Sequence, residues 1–295
     1  MHDEKELERI GTESQKILEL ARSLVKPGVS IAEVANKIDD EIRSKKLHTS
    51  FPINISINEQ AAHYTPSFDD KAVFSPNDVV KIDIGLRSGS ELTDCAITVD
   101  LSSKHSKLVD ATNEACDAAI KKVKAGTRLC DIGAVVEEIA ARSGFKPVKN
   151  LGGHGLEEGE LHAHYFIPNF DNGDTTELQD GDLVAIEVFL TDGEGYVDEG
   201  DTIQIFQKAA GAHARASDLR TVSTFIEEEY SSYPFALRWL VKKFGSEFKP
   251  RATLNELARN EALEQFPVLI ERKKGMVAQS EHTVLVQKGS CKIVV

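Results

Sequence analysis

Two seven-residue stretches, 104 positions apart, read alike: Asp78-Val79-Val80-Lys81-Ile82-Asp83-Ile84 and Asp182-Leu183-Val184-Ala185-Ile186-Glu187-Val188. Each runs acid, apolar, Val, any residue, Ile, acid, apolar. Eleven residues after Asp83 comes Asp94, and eleven after Glu187 comes Asp198. Glycines separate the members of each pair (Gly85 and Gly89; Gly193 and Gly195), so each reads as strand, turn and returning strand. A chain that echoes itself this way is expected to fold as two similar halves. Each half is then built round a hairpin with an acid on an inward strand face.

The rest of the pattern alternates between element types. Residues 4–25 carry Leu7, Ile10, Ile17, Leu18, Ala21 and Leu24 at helical spacing and stop at Lys26-Pro27-Gly28. Ser30 caps a second helix with Ile31, Val34, Ala35, Ile38 and Ile42 on one face. FPINISIN (51–58) alternates like a strand, and 78–86 with 92–101 makes the first hairpin. Helices are expected over 106–125 and 130–143, a second hairpin over 182–190 and 196–206, and strands over 275–288 and 290–295. Helices and strands intersperse without a regular βαβα rhythm, so the fold class is α+β rather than a doubly wound sheet. From 209 to 273 the sequence is charge-rich and helical in period and contains the only tryptophan, Trp239. That stretch reads as a small helical insertion (209–273) in a larger domain (1–208 and 274–295).

Charge and composition narrow the function. A net charge of −13 disfavours a nucleic-acid surface and suits a host for cations. No window of eighteen apolar residues exists, so no membrane helix is expected. The acidic start HDEKELERIGTESQ does not read as a secretory or transit segment. Cys95, Cys116, Cys130 and Cys291 are scattered without a CxxC pair, which points to a reducing, cytoplasmic setting and to neither disulfides nor a zinc–thiolate site.

Asp83 and Glu187 interrupt strands that should bury apolar side chains. An unpaired buried carboxylate costs several kcal/mol. Such acids can share protons, pair with a buried cation or bind metal. Lys81 and Arg87 are available to Asp83, but the echo has Ala185 where Lys81 stands, so an ion pair does not carry over to the second half. Metal binding does, given an imidazole nearby. His154 lies among Gly152, Gly153 and Gly155 in NLGGHGLEEGELHAH (150–164), where its backbone can be pressed against other chain. Glu281 interrupts a further apolar strand in AQSEHTVLV (278–286), and His63 follows the first strand. A set of Asp83, Asp94, His154, Glu187 and Glu281 is oxygen-rich with one nitrogen. It suits two divalent ions such as Mn²⁺, Co²⁺, Fe²⁺ or Zn²⁺ rather than a tetrahedral structural zinc. Two such ions can activate a shared water, which is hydrolytic chemistry.

The motifs NEQAAHYTP (58–66), KIDIG…TDCAITV (81–99), GGHGL…ELHA…IPN (152–169), AIEVF (185–189) and AQSEHTVLV (278–286) together resemble the methionine aminopeptidases, in particular the type 2 enzymes of archaea and eukaryotes. The resemblance spreads over nearly the whole chain. It implies the pita-bread fold with pseudo-twofold halves and a small helical, winged-helix-like insertion. It also implies removal of the initiator methionine from nascent chains whose second residue is small. By the same resemblance Asp83 binds one of two metal ions, Asp94 and Glu281 bridge, and His154 and Glu187 complete the other. Glu187 is then also the general base, His63 and His162 contact the substrate near the scissile amide, and Phe51 lines the methionine pocket, as Phe266 does at lower rank. Partners are a nascent polypeptide N-terminus and a transient ribosome contact, with no nucleic acid and no membrane, and the chain is expected to be a monomer.

Three positions depart from the family's habit. Val188 stands where proline is usual, Ser280 where a large aromatic is usual, and His164 where glycine is common. Ser280 is expected to widen the pocket or loosen the packing of Glu281, and His164 to be a surface residue. Two rivals are a proline-specific aminopeptidase or prolidase on the same fold, and a non-catalytic binding homologue. The first usually carries a long N-terminal domain ahead of its first ligand; the second usually loses ligands.

Overall fold

A computed structural model of the chain describes residues 2–209, 211–212, 214 and 217–295. The elements in chain order are α1 (Glu4–Leu24), α2 (Ile31–Ser44), β1 (His48–Ile57), β2 (Gln60–Ala62), β3 (Val79–Ser88), β4 (Glu91–Asp100), α3 (Ser106–Ile120), α4 (Leu129–Ser143), β5 (Lys146–Pro147), β6 (Gly152–Glu157), β7 (Glu160–Pro168), β8 (Leu183–Thr191), β9 (Val197–Lys208), α5 (Ser217–Tyr230), β10 (Phe235–Ala236), α6 (Leu237–Phe244), α7 (Phe248–Arg259), β11 (Leu263–Glu271), β12 (Val277–Val286) and β13 (Cys291–Ile293). Among the described residues no helix is long and apolar enough to cross a membrane.

The main sheet runs β1-β3-β4-β12-β8-β6-β7. The order is symmetric about the β4–β12 seam, so β3 corresponds to β8 and β4 to β12. Helix pairs follow the same division. Asp3 caps α1 by accepting from the N–H groups of Lys5 and Glu6, and Ser30 caps α2 at Glu33 N–H. Their apolar stripes bury Ile10, Ile17, Ile31 and Ile38 against Ile53, Ile55, Ile82 and Ile84 of the first half. In the second half α3 and α4 bury Ala115, Cys116 and Val136 against Ile186, Val188, Ala278 and Val284.

The second hairpin differs from expectation. β8 does not pair with the following strand; it pairs with β12 over nine positions, Leu183↔Leu285 to Thr191↔Val277. The reason lies in burial. β8 is covered on both faces and needs an apolar neighbour. β12 is buried at every position but His282, whereas the first half of β9 is largely exposed. β9 therefore leaves for a second sheet of order β10-β9-β11-β2. Asp198 goes with it: its carboxylate takes two hydrogen bonds from the exposed guanidinium of Arg272, at 2.9 and 3.0 Å. The true counterpart of Asp94 is Glu281.

The stretch expected as purely helical also differs. Residues 263–271 form strand β11, paired with β9 and β2. Pro267 bars a helix there, and Val268 and Ile270 favour extended chain. Residues 210, 213, 215 and 216 of the same stretch lie outside the described residues. Helices α5 to α7 gather round a separate apolar cluster that includes Val222, Ile226, Phe235, Leu240 and Leu254. Where the chain leaves the main sheet after β8 and rejoins it at β12, the fully buried carboxylate of Glu271 accepts from the N–H groups of Glu194, Gly195, Lys273 and Gly275. A Cβ on Gly193 would stand 2.3 Å from that carboxylate, so glycine is required.

Candidate active site

Strand alternation aims four acids at one place. Asp83 lies between Ile82 and Ile84, whose side chains enter the first core, and Glu187 between Ile186 and Val188, which enter the second. In register, Glu281 is directly opposite Glu187, and both Glu281 and Asp83 are opposite Ala96. Asp94 is two residues from Ala96 and so shares its face. The small Ala96 leaves the middle of this patch open.

His154 arrives on β6 opposite Ala185, two positions from Glu187 on the same face. Its glycines matter for packing. A Cβ on Gly153 would lie 2.2 Å from Ala185 O, and one on Gly155 2.3 Å from Ala163 O. Side chains there would push β6 off its neighbours and carry His154 away from the acids.

Two groups of potential ligand atoms result, Asp94–His154–Glu281 and Asp83–Glu187–Glu281, each with its atoms within 4.8 Å of one another. Glu187 thus groups with Asp83, whereas the resemblance placed it beside His154. His154 Nε2 is 3.6 Å from Asp94 Oδ2. Asp83 Oδ1, Asp94 Oδ1 and both oxygens of Glu281 are buried without a hydrogen-bond partner among the described residues. The cations offered by sequence do not reach them. Lys81 Nζ donates to Asn58 O at 2.7 Å, and Arg87 Nε donates to Thr49 O at 3.2 Å while its guanidinium stacks on Tyr233.

The electrostatics follow from that crowding. Burial raises the Asp83 carboxyl to about 7. Burial first, and then repulsion from neighbouring carboxylates, hold Asp94, Glu187 and Glu281 well above the ordinary range. Burial, with His162 alongside, lowers His154 to about 3, so its imidazole is neutral and free to ligate. Orphaned carboxylate oxygens and a neutral imidazole form a donor set that fits divalent cations.

The site floors a cavity of about 510 Å³ whose apolar wall includes Phe51, Leu161, Phe189, Ile205, Pro234 and Phe266. A β-bulge between Phe51 and Asn54 lets both residues face the cavity, although they are three apart. Phe51 lies over Gly85, where a Cβ would come within 2.3 Å of its ring. His63 adopts φ 65°, a left-handed conformation costly for a side-chain-bearing residue. Its Nδ1 is 3.2 Å from Pro267 O, and its ring meets Phe266 edge-on at 5.7 Å. Burial lowers its imidazole to about 4. The His162 ring lies 4.4 Å from that of His154, nearly perpendicular, and is also held below the usual histidine range by desolvation.

Phe51, His63, Asp83, Asp94, His154, His162, His164, Glu187 and Phe266 therefore line one cavity, with Glu281 grouped beside Asp83, Asp94 and Glu187, whereas Asp198, Val188 and Ser280 lie elsewhere. Two were missed. Gln279 donates from Nε2 to Glu187 Oε1 at 2.8 Å and more weakly to Asp83 Oδ2 at 3.4 Å. Its signal was its place two residues before Glu281 on the same strand face. Asn54 gave no signal, because the bulge that turns it inward has no sequence mark. Ser280 does not widen the pocket, contrary to expectation. It is paired with Val188 on the opposite face of the sheet, towards Cys116 of α3. The alternation that points Glu281 inward points Ser280 outward.

The sequence matches metallopeptidase family M24 over residues 5–288. It is 38% identical to a methionine aminopeptidase of Methanocaldococcus jannaschii over 283 residues, covering 96% of this chain and 95% of that protein. The fold superposes on a thermophilic Arx1 with a TM-score of 0.83 at 16% identity, covering 95% of this chain and 87% of the other. It superposes on a methionine aminopeptidase from Thermotoga maritima with a TM-score of 0.69 at 20% identity, covering 97% and 94%. These likenesses show the pita-bread fold, and with the family match and the archaeal relative they establish that the chain belongs to metallopeptidase family M24.

Proposed function

We propose that the protein is a methionine aminopeptidase that removes the initiator methionine from polypeptides with a small second residue. The observation that carries this reading is the meeting of five ligand side chains with an apolar, aromatic-walled cavity. A member of this family uses divalent metal. Asp83, Asp94, His154, Glu187 and Glu281 would hold two ions, Glu281 belonging to both groups of donors. Ions bound there supply Lewis acidity and a water of lowered pKa.

The chain's own residues do the rest. Phe51 and Phe266 enclose an unbranched apolar side chain such as methionine's, which needs no hydrogen-bond partner. Glu187, in a desolvated setting that raises its proton affinity, takes the proton of the attacking water and passes it to the departing amine. His162 donates a hydrogen bond to the scissile carbonyl, and His63, whose Nδ1 donates to Pro267 O, accepts at Nε2 from the amide N–H and holds it in place. Pro234, on the same cavity wall, narrows the space beyond the scissile bond and excludes bulk there.

We read residues 209–273 as a unit of its own, supported by its separate apolar cluster. We place the enzyme in the cytoplasm as a monomer acting on nascent chains, with a transient ribosome contact. The net charge of −13 speaks against a nucleic-acid partner.

The test is a peptide assay. Metal-stripped protein is incubated with Met-Ala-Ser, Met-Leu-Ser and Ala-Pro peptides, with and without Mn²⁺ or Co²⁺. Metal-dependent methionine release from Met-Ala-Ser alone is expected. Cleavage of Ala-Pro instead moves the protein to the proline-specific group. No cleavage with any metal makes it a binding homologue.

A further inference from the structure

Beyond the catalytic centre, one residue on the cavity wall is held at a conformational cost. His164 has φ 52°, the left-handed region that glycine adopts freely and other residues avoid. It sits in a bulge of β7. His154 is opposite Phe166 and Gly155 is opposite Ala163, so residues 164 and 165 are additional on the β7 side. The imidazole is exposed and meets an acceptor: its Nε2 is 2.7 Å from Glu157 Oε1 across the β6–β7 hairpin. It lines the same cavity as His162, two residues before it, and as Phe166, two residues after it. Among the described residues β7 is also the edge strand of the main sheet, paired with β6.

We infer that His164 is a specificity-determining residue that binds the substrate backbone beyond the second residue. The inference rests on the reading of the site as an aminopeptidase. A carboxylate oxygen can only accept, so Glu157 fixes the proton of a neutral imidazole on Nε2 and leaves Nδ1 as an acceptor. In an extended peptide, the donors beyond the second residue are backbone N–H groups. In extended chain the amides of the third and fourth residues lie roughly 3–7 Å beyond the scissile amide, within the span of about two residues that separates His162 from His164. With His162 at the scissile bond, His164 is therefore placed to accept from one of those amides. The bulge and the left-handed backbone turn the imidazole to that wall, and Glu157 sets its tautomer.

The experiment uses Mn²⁺-loaded protein at pH 8. It compares the wild type with His164→Gly, a change that relieves the left-handed strain and is expected to leave the melting temperature unchanged or raise it. Substrates are the dipeptide Met-Ala, the tetrapeptide Met-Ala-Ser-Gly amide, and two forms of the latter N-methylated at the third or the fourth residue. His164→Gly should lower kcat/KM for the tetrapeptide by roughly three- to tenfold, the worth of one hydrogen bond, and leave Met-Ala unchanged. One of the two methylations should cost the wild type a similar factor and cost His164→Gly nothing. Glu157→Gln, which frees the tautomer, should fall in the same direction. Equal effects on dipeptide and tetrapeptide would overturn the inference, as would a methylation penalty that persists undiminished in His164→Gly. Wild-type protein that releases no methionine from any of these peptides would instead overturn the aminopeptidase reading on which it rests.

Discussion

Glu187 and Glu281 are direct cross-strand neighbours on the inward face of β8 and β12. Like charges in that relationship destabilise a sheet, and both carboxyls are driven upward in pKa, first by burial and then by neighbouring charge, that of Asp83 on Glu187 and those of Asp94 and Glu187 on Glu281. The arrangement makes sense only as a site that is stable when a cation fills it.

Glu281→Gln tests that trade. A carboxyl whose folded-state pKa is raised contributes its stability fully at low pH and loses it as pH rises through the folded value. Glutamine has no such dependence. Metal-stripped Glu281→Gln should therefore match the wild type near pH 5 and exceed it by roughly 1–4 kcal/mol at pH 8. The same variant should lose metal-dependent peptidase activity. Denaturant melts in chelator at the two pH values check it; a variant less stable than the wild type at pH 8 would refute the account.

Asp94→Ala removes a carboxylate of the Asp94–His154–Glu281 group. Activity should fall below about a tenth of wild type, because a lost ligand unseats the charge that activates water. Retention of more than that in a peptide assay with excess Mn²⁺ would contradict the ligand assignment.

Gln279 holds Glu187 by one oxygen and touches Asp83, leaving their other oxygens for a cation. The residue is held in place through its own backbone, whose N–H donates to Thr98 Oγ1 at 2.8 Å and whose carbonyl accepts from it at 2.7 Å. Gln279→Leu should weaken metal binding by about 10–100-fold. Titration of the stripped protein with Mn²⁺ reads this directly, and an unchanged dissociation constant would make Gln279 merely space-filling.

Lys81 is fully buried and, by burial, lowered to about 7 from the ordinary 10.5. A lysine whose folded pKa is depressed costs stability below the folded value, and the cost disappears as pH rises towards the unfolded one. Lys81→Met should be more stable than the wild type by roughly 1–3 kcal/mol at pH 6.5, with the gap closing by pH 10. The gain is limited because Asn58 O loses its donor. A gap that widens with pH would reverse the assignment.

How far the sequence could be read depended on range. Helices α1 to α4 and strands β3, β4, β8 and β12 follow from local period, since their apolar faces are dense and their ends are marked by Asp3, Ser30 and Gly144. The acids were legible because each breaks such a period. Pairing was not legible. The echo pointed from Glu187 to Asp198, eleven residues on, but burial gave the place beside β8 to β12, far along the chain. β11 was misread because helical charge pattern runs on past Asn260, and the signals against it, Pro267 with Val268 and Ile270, are few and come late in the stretch. Asn54 was hidden in a bulge, whose extra residue leaves no periodic trace, and the bulge at His164, a residue the sequence marked as exposed, was equally invisible.

Glu271 ties the two ends of the chain segment that carries β9 and β11 to each other, and β11 in turn carries Phe266 and Pro267 to the cavity and to His63. Glu271→Ala leaves four backbone N–H groups without their acceptor in a buried place. Each hydrogen bond to a charged group is worth about 1.5–3 kcal/mol, and water entering the gap recovers part of the total. A net loss of roughly 3–5 kcal/mol is expected. Function should suffer in a particular way. The ligand side chains stand on other strands, so metal affinity should hold. The cavity wall at Phe266 loosens, so KM for methionyl peptides should rise more than kcat falls. Differential scanning calorimetry, Mn²⁺ titration and steady-state kinetics on the one variant separate these effects. A Glu271→Ala protein that loses metal affinity and keeps KM would mean that the segment supports the ligands rather than the substrate pocket.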